Sequence, residues 1–358
     1  MATLASLAGR RWRAAARPAP RPRLLAAWLF AVAGLVLLMV LVGGITRLTE
    51  SGLSITEWNL VAGTLPPVTE AGWQQEFEKY RQTAQYRMLN RGMSLEEFRI
   101  IYFWEWFHRL LGRLIGLAYA LPLLLFALAR AIPAGYGPRL VALLALGGLQ
   151  GAVGWWMVQS GLWTGPAVSH HRLAVHLILA LVILAGLVWT ALDLLATARG
   201  RPPARLRLAP ALAALILLPQ MMLGAWVAGL RAGHAASDWP LMNGRLLPEG
   251  IGRFGASLAG LSSDPFLVHF LHRWWALAVV VALLVLARHA WRAGARAAAW
   301  ALGAAVVLQS LVGILTVVSG VAIGLAVLHQ GFGALLVGLL AWTAHALGHA
   351  PAREGRRR

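Results

Sequence analysis

The sequence predicts an all-α integral membrane protein in which eight transmembrane helices form two pseudo-symmetric four-helix bundles. The first observation behind this fold class is composition. The 358-residue chain is 59% hydrophobic and only 13% charged, and apolar runs of about 20 residues recur along it. The second observation is an internal duplication, in which short motifs of the first half return in the same order in the second half. Four apolar helices per half are enough to build one bundle around a shared core.

Eight segments are long and apolar enough to cross a bilayer as helices. They are residues 24–46, 104–128, 139–160, 171–195, 209–230, 268–288, 297–319 and 322–346. The chain then divides into a basic arm (1–23), an N-terminal bundle (24–195), a linker (196–208), a C-terminal bundle (209–346) and a basic tail (347–358).

The positions of the arginines predict the orientation in the membrane. They cluster in the arm, in the tail and in the connections after spans 2, 4 and 6, and none lies in the connections after spans 3 and 7. The positive-inside rule therefore places both termini in the cytoplasm of a multi-pass protein of the bacterial inner membrane. The net charge of +19 is explained by this topology, so lipid is the expected surrounding and no nucleic-acid partner is predicted.

Three pairs of motifs carry the duplication. They are His108-Arg109 with His272-Arg273, Gln150-x-x-Val153-Gly154 with Gln309-x-x-Val312-Gly313, and, more weakly, Trp58 and Gly63 with Trp239 and Gly244. Each half has four spans, which is an even number, so both halves cross the membrane in the same direction. An axis along the bilayer normal is then expected to relate them.

Four histidines fall at a similar depth near the external ends of the even-numbered spans, two in each half. They are His108, His176, His272 and His329. A lone histidine in a membrane can simply hydrogen-bond to a neighbouring helix, but two symmetric pairs indicate a function. Facing imidazoles in a four-helix bundle suit axial ligation of haem iron, whereas two histidines are too few for a closed zinc site. The chain has no cysteine, which excludes thiolate haem ligands and cysteine-held Fe–S clusters.

One acidic residue distinguishes the first half from the second. Glu105 precedes His108 by three residues and shares its helix face, whereas the equivalent position in the second half is His269. Flanking tryptophans shield Glu105, which favours a chemical role over a plain ion pair with Arg109. Arg109 and Arg273 either reach out of the membrane to water or pair with haem propionates, since a guanidinium matches a carboxylate.

The most specific motifs follow one another along the chain in a fixed order. They are Gly44-Ile45-Thr46-Arg47-Leu48-Thr49 with Gly52-Leu53-Ser54, Glu105-Trp106-Phe107-His108-Arg109, Gln150-Gly151-Ala152-Val153-Gly154, His171-Arg172-Leu173-Ala174-Val175-His176, Asp238-Trp239-Pro240-Leu241-Met242-Asn243-Gly244, His272-Arg273 and His329-Gln330. In this order and spacing they resemble the haem A synthase family. The resemblance covers all eight spans and leaves out only the arm and the tail.

The resemblance implies an oxidoreductase that converts haem O to haem A for cytochrome oxidase assembly. His272 and His329 would bind a resident haem b as cofactor. The first half, with His108, His176 and Glu105 as the catalytic set, would oxidise the C8 methyl group of haem O to a formyl group by two successive oxygenations. Some bacterial members carry a cysteine pair in an external loop, so this chain is similar to the cysteine-free type of proteobacteria and mitochondria. Haem O synthase and cytochrome oxidase assembly factors are the implied partners.

Two other functions stay open at this point. A non-enzymatic di-haem b-type cytochrome for electron transfer explains the four histidines equally well, but it gives Glu105 no necessary task. A transporter with paired repeats would interrupt its spans at matching positions, and the prolines of this chain, Pro122 and Pro219, do not match. The oligomeric state is open as well.

Overall fold

The computed structural model describes residues 19–59, 62–163, 165–247 and 258–349. Most of the predicted arm and tail lies outside these residues. Within them the protein is helical, and the nearest approach to a strand in this part of the chain is an isolated bridge between Met242 and Arg245.

All eight predicted spans are helices, and each is long and apolar enough to cross a membrane. They are α1 (Pro22–Leu48), α4 (Leu95–Leu128), α5 (Gly137–Leu162), α6 (His170–Thr197), α7 (Leu208–Gly229), α9 (Pro265–Arg292), α10 (Arg296–Val318) and α11 (Ile323–Gly348). Three short helices lie between them: α2 (Glu70–Arg81), α3 (Ala84–Met88) and α8 (Leu258–Ser263). The fold class is therefore confirmed as all-α with eight candidate transmembrane helices.

Helix α4 begins at Leu95, well before the predicted start of its span at residue 104. The reason is a capping box. The Ser94 hydroxyl accepts from the Glu97 backbone N–H, and the Glu97 carboxylate accepts from the Ser94 N–H at 2.8 Å. The polar first turns lengthen the helix without lengthening its apolar run. As a result Glu105 and His108 lie well inside a continuous helix, where their positions on its surface are fixed.

Each half of the chain builds an apolar core of its own. One core is formed mainly by α1, α4, α5 and α6, and the other by α7, α9, α10 and α11. Helices also pack across the boundary, α1 against α11 and α6 against both α7 and α11. Gln330 strengthens this contact, because its side-chain amide donates to the Val40 carbonyl at 2.7 Å. The arrangement as two four-helix bundles, with the domain boundaries given above, stays a prediction.

Asp193 fixes the end of the molecule opposite the paired histidines. Its carboxylate is fully buried and accepts from Arg139 at 2.6 Å, from the Ala204 backbone N–H at 2.9 Å and from His345 at 3.0 Å. It therefore ties α5, the linker and α11 to α6. Asp193, His345 and His349 also lie close enough to share a metal ion. The fold already accounts for this cluster, because both carboxylate oxygens are used within it.

Candidate functional site

The four predicted histidines lie on four different helices, and each ring packs against a glycine of a neighbouring helix. His108 on α4 meets Gly43 of α1, His176 on α6 meets Gly154 of α5, His272 on α9 meets Gly224 of α7, and His329 on α11 meets Gly313 of α10. A Cβ atom built on these glycines would lie 3.1, 2.9, 3.2 and 2.8 Å, respectively, from the Cε1 atom of the ring. A side chain at residue 154 or 313 would therefore force the ring to shift, and one at residue 43 or 224 would press it back by a few tenths of an ångström.

The structure brings two of the histidines together in the second half. The rings of His272 and His329 have centroids 6.3 Å apart and planes at 87°. Their equivalents in the first half, His108 and His176, occupy the same positions against glycines. A metal–imidazole bond is about 2.0–2.1 Å, so two rings that bind one ion from opposite sides have centroids about 6 Å apart. The spacing in the second half fits this arrangement.

Glutamine side chains contact two of these histidines from the helix that carries the glycine. Gln150 donates its amide hydrogen to the His176 carbonyl at 3.0 Å, and the same nitrogen lies 3.2 Å from Nδ1 and 3.3 Å from Nε2 of the ring. Gln220 contacts the carbonyl and Nδ1 of His272 in the same way, at 3.1 and 3.2 Å. Sequence reasoning used Gln150 only as a marker of the repeat, and it did not identify Gln220.

Glu105 is buried, with 3% of its surface exposed, and its carboxylate holds a turn in the segment that follows α1. One oxygen accepts from the Ser54 hydroxyl and from the Ile55 backbone N–H, both at 2.7 Å. The other accepts from Arg109 at 2.6 Å. Arg109 then continues outwards and donates to the carbonyls of Ile55 and Glu57, both at 2.8 Å. The acid and the arginine together fasten residues 54–57 against α4.

The second half repeats this construction with a different residue in the place of the acid. His269 is buried and accepts from Nε of Arg273 at 3.0 Å. Arg273 donates to the carbonyls of Ala236 and Asp238 at 2.8 Å, and to that of Leu241 at 3.0 Å. Ala236 and Asp238 precede Trp239 by three residues and by one residue. Ile55 and Glu57, which Arg109 binds, precede Trp58 by the same distances. The internal duplication therefore includes the contacts, although the acid is replaced.

Arg109 and Arg273 each bind backbone carbonyls of a loop that connects two helices of their own half. This role was not predicted from the sequence. The pairing of Arg109 and Arg273 with haem propionates stays a prediction. An acidic residue lies at the equivalent point of each loop, and both carboxylates have a pKa below the usual range. The Lys79 side chain lowers the pKa of Glu57, and backbone N–H groups of Gly244 and Asn243 lower that of Asp238.

Comparison with known proteins adds a family to this geometry. The model of the COX15-CtaA family, described as cytochrome oxidase assembly protein, matches residues 26–341. A protein of Sphingopyxis alaskensis named "Heme A synthase" is 58% identical over 93% of this chain and 95% of its own length. Proteins with the same name from Novosphingobium aromaticivorans and Erythrobacter litoralis are each 55% identical, over 93% and 92% of this chain and 99% of their own.

Proposed function

Because the chain belongs to the COX15-CtaA family of cytochrome oxidase assembly proteins, we propose that it is a haem A synthase, an enzyme that converts haem O to haem A. In the proposed reaction the C8 methyl group of haem O becomes a formyl group through two successive oxygenations. The observation that carries this proposal is a set of four histidines that repeats its glycine contacts in both halves, with a buried carboxylate three residues before a histidine in the first half alone.

The second half is proposed to hold haem b through His272 and His329. Two imidazoles at 6.3 Å, each packed against a glycine, are a donor set suited to haem iron. When bound there, haem b supplies single-electron transfer. His269 leaves this half without a carboxylate at the position of Glu105.

The first half is proposed to receive the substrate haem O between His108 and His176. Glu105 lies one helical turn towards the external side of His108, in a setting with little water. A carboxylate in such a place stabilises a developing positive charge or accepts a proton. Its hydrogen bonds with Ser54 and Ile55 also keep the external turn closed over this end of α4.

The hydrogen bonds of Glu105 favour one competing function. Glu105 accepts hydrogen bonds from three donors and fastens a turn, and this alone would explain why it is buried even if it had no catalytic role. A di-haem b-type cytochrome that only transfers electrons would need the same loop and the same histidines. The two functions differ in whether haem A is formed.

Haem extraction from membranes tests the proposal. The full-length protein is produced in a host that makes haem O but lacks its own haem A synthase, and the haems are identified as pyridine haemochromes. We expect haem A with the unaltered protein and none with His108→Ala, which should keep its haem b. His272→Ala and His329→Ala should lose the low-spin haem b spectrum. A protein that holds haem b in both halves and forms no haem A would be the electron-transfer cytochrome.

The place of the protein in the cell is part of the same proposal. Arginines cluster in or directly beside the short connections after α4, α6 and α9, and none lies in the short connections after α5 and α10. The positive-inside rule then places both termini in the cytoplasm and the histidine pairs near the outer leaflet of the bacterial inner membrane. Haem O synthase and cytochrome oxidase assembly factors remain the proposed partners.

A further inference from the structure

A second feature lies on the helices that carry the glycines, one helical turn before each glycine, and three of the four sites share it. On a helix, residues four apart share a face, so the residue four positions before the glycine also faces the histidine. It is glutamine at three sites and methionine at the fourth. The four pairs are Gln150 with Gly154, Gln220 with Gly224, Gln309 with Gly313, and Met39 with Gly43.

The glutamines offer unused hydrogen-bond acceptors. The side-chain oxygens of Gln150, Gln220 and Gln309 are all buried and have no partner. At His329 the ring atom Nδ1 is buried without a partner as well. A buried acceptor and a buried ring nitrogen that both lack a partner, on facing positions of α10 and α11, are costly unless they meet.

Iron ligation gives these acceptors a partner. An imidazole that binds a metal through Nε2 carries its proton on Nδ1 and needs an acceptor there, which also fixes the plane of the ring. The amide nitrogen of Gln220 now lies 3.2 Å from Nδ1 of His272 and 3.1 Å from the His272 carbonyl oxygen. Turning the terminal bond, with a small shift away from that carbonyl, puts Oε1 within reach of Nδ1. The His272 carbonyl, which then loses the amide, lies within α9 and keeps its intrahelical hydrogen bond.

The first half departs from this pattern at His108 alone. The side chain there is Met39, whose methyl group packs toward Gly112, one turn beyond His108. A thioether is at best a weak acceptor, and Nδ1 of His108 is buried with no partner. Of the four rings, therefore, His108 is the one that has no glutamine facing it.

We propose that Gln150, Gln220 and Gln309 are positioning residues that accept the Nδ1 proton of His176, His272 and His329. Met39 makes His108 the weakly held imidazole of the set. This inference rests on the proposed function and deepens it. A substrate haem has to enter and leave as product, so one loosely held ligand in the first half suits exchange. Two firmly held ligands in the second half suit a haem that stays.

The competing explanation is that glutamines merely join helices, since side-chain amides often hydrogen-bond across membrane helices. The two explanations differ in the sign of an electronic effect. An acceptor on Nδ1 makes the imidazole a stronger donor to iron and favours the oxidised form. Helix joining alone predicts no such dependence on whether the residue at 220 accepts or not.

The first test compares Gln220→Met with Gln220→Glu in the purified full-length protein, using haem b as the probe. Methionine reproduces the first half and offers no good acceptor, whereas glutamate can only accept. We expect the haem b midpoint potential to rise in Gln220→Met and to fall in Gln220→Glu. Loss of the acceptor should also weaken haem b binding by about 10- to 100-fold. Shifts of the same sign in both variants, or no shift, would overturn the proposal.

The second test is reciprocal and does not depend on how the Gln220 variants fold. Met39→Gln should slow the loss of haem from the first half, while Met39→Leu, the matched control without an acceptor, should not. Equal haem release from the two variants contradicts the inference. Failure of the proposed function has a different signature, because the unaltered protein would then form no haem A from haem O. If the unaltered protein forms haem A and the variants at 39 and 220 change nothing, the inference alone is wrong.

Discussion

The two halves of the chain share a frame and differ in the residues that face its centre. In both halves two histidines pack on glycines, and an arginine holds equivalent loop carbonyls. The differences are Glu105 against His269 and Met39 against Gln220. The duplication thus kept the contacts that position helices and loops, and it changed the side chains that decide what a bound group experiences.

The halves also differ in how closely their helices pack. In the second half α9 packs along α10, whereas the equivalent helices of the first half, α4 and α5, meet over a shorter stretch. The first half has an additional external cluster of aromatic side chains from α2 and the first turns of α4, among them Phe77, Tyr80 and Phe98. A looser pair of helices below a packed cap is what we expect of the first half if it admits and releases haem as proposed above.

The sharpest way to break the comparison is to change the acid. Glu105→Gln keeps an acceptor for Ser54 and Ile55 but removes the negative charge. We expect haem A formation to fall by at least about 10²-fold, the usual contribution of an acid–base group, with the haem b content unchanged. The measurement is haem A formed per haem b. Normal haem A formation in Glu105→Gln, together with its loss in Glu105→Ala, would mean that the acid only holds the turn.

Much of the fold follows from the sequence, because eight long apolar runs leave a bilayer-spanning chain few alternatives. The exception is the start of α4, which a local capping box sets and apolar length does not show. The histidine pairs could be predicted from the register of the repeat. The clamp at Glu105 could not, because its partners Ser54 and Ile55 lie about fifty residues earlier in the chain. The role of Gln220 could not be predicted from the repeat either, because the equivalent residue in the first half is Met39.

A smaller effect tests whether the glycines set the histidine positions. A methyl group at Gly313 would lie 2.8 Å from the His329 ring, whereas Gly303 of the same helix has nothing within 4 Å. We expect Gly313→Ala to displace the ring at a cost of about 1–3 kcal/mol, and so to lower haem b occupancy. The measurement is the low-spin haem b absorbance per protein. Equal absorbance in Gly313→Ala and Gly303→Ala would show that the ring has room to move.

The smallest expected effect separates the two external loops by their chemistry. Asp238 accepts from the backbone N–H groups of Asn243 and Gly244, both at 2.8 Å, and these contacts lower its pKa. This stabilisation is present above the unfolded pKa of about 3.9 and is lost as the pH falls through the lower folded value. Glu57 relies on the Lys79 side chain at 3.1 Å, an exposed pair that salt screens.

Hydrogen exchange in the two loops should therefore respond differently to the same change of solvent. At pH 7, added salt should speed exchange around residue 57 and leave residues 238–244 unchanged. Asp238→Asn should lower the protection factors at 238–244 at pH 7, and it should remove the loss of protection that we expect of the unaltered loop in acid. Haem b content should stay constant in all these conditions, because Arg273 binds loop carbonyls that the Asp238 carboxylate does not touch. Equal salt responses in the two loops would show that the duplicated frame, and not the acidic side chain, controls loop order.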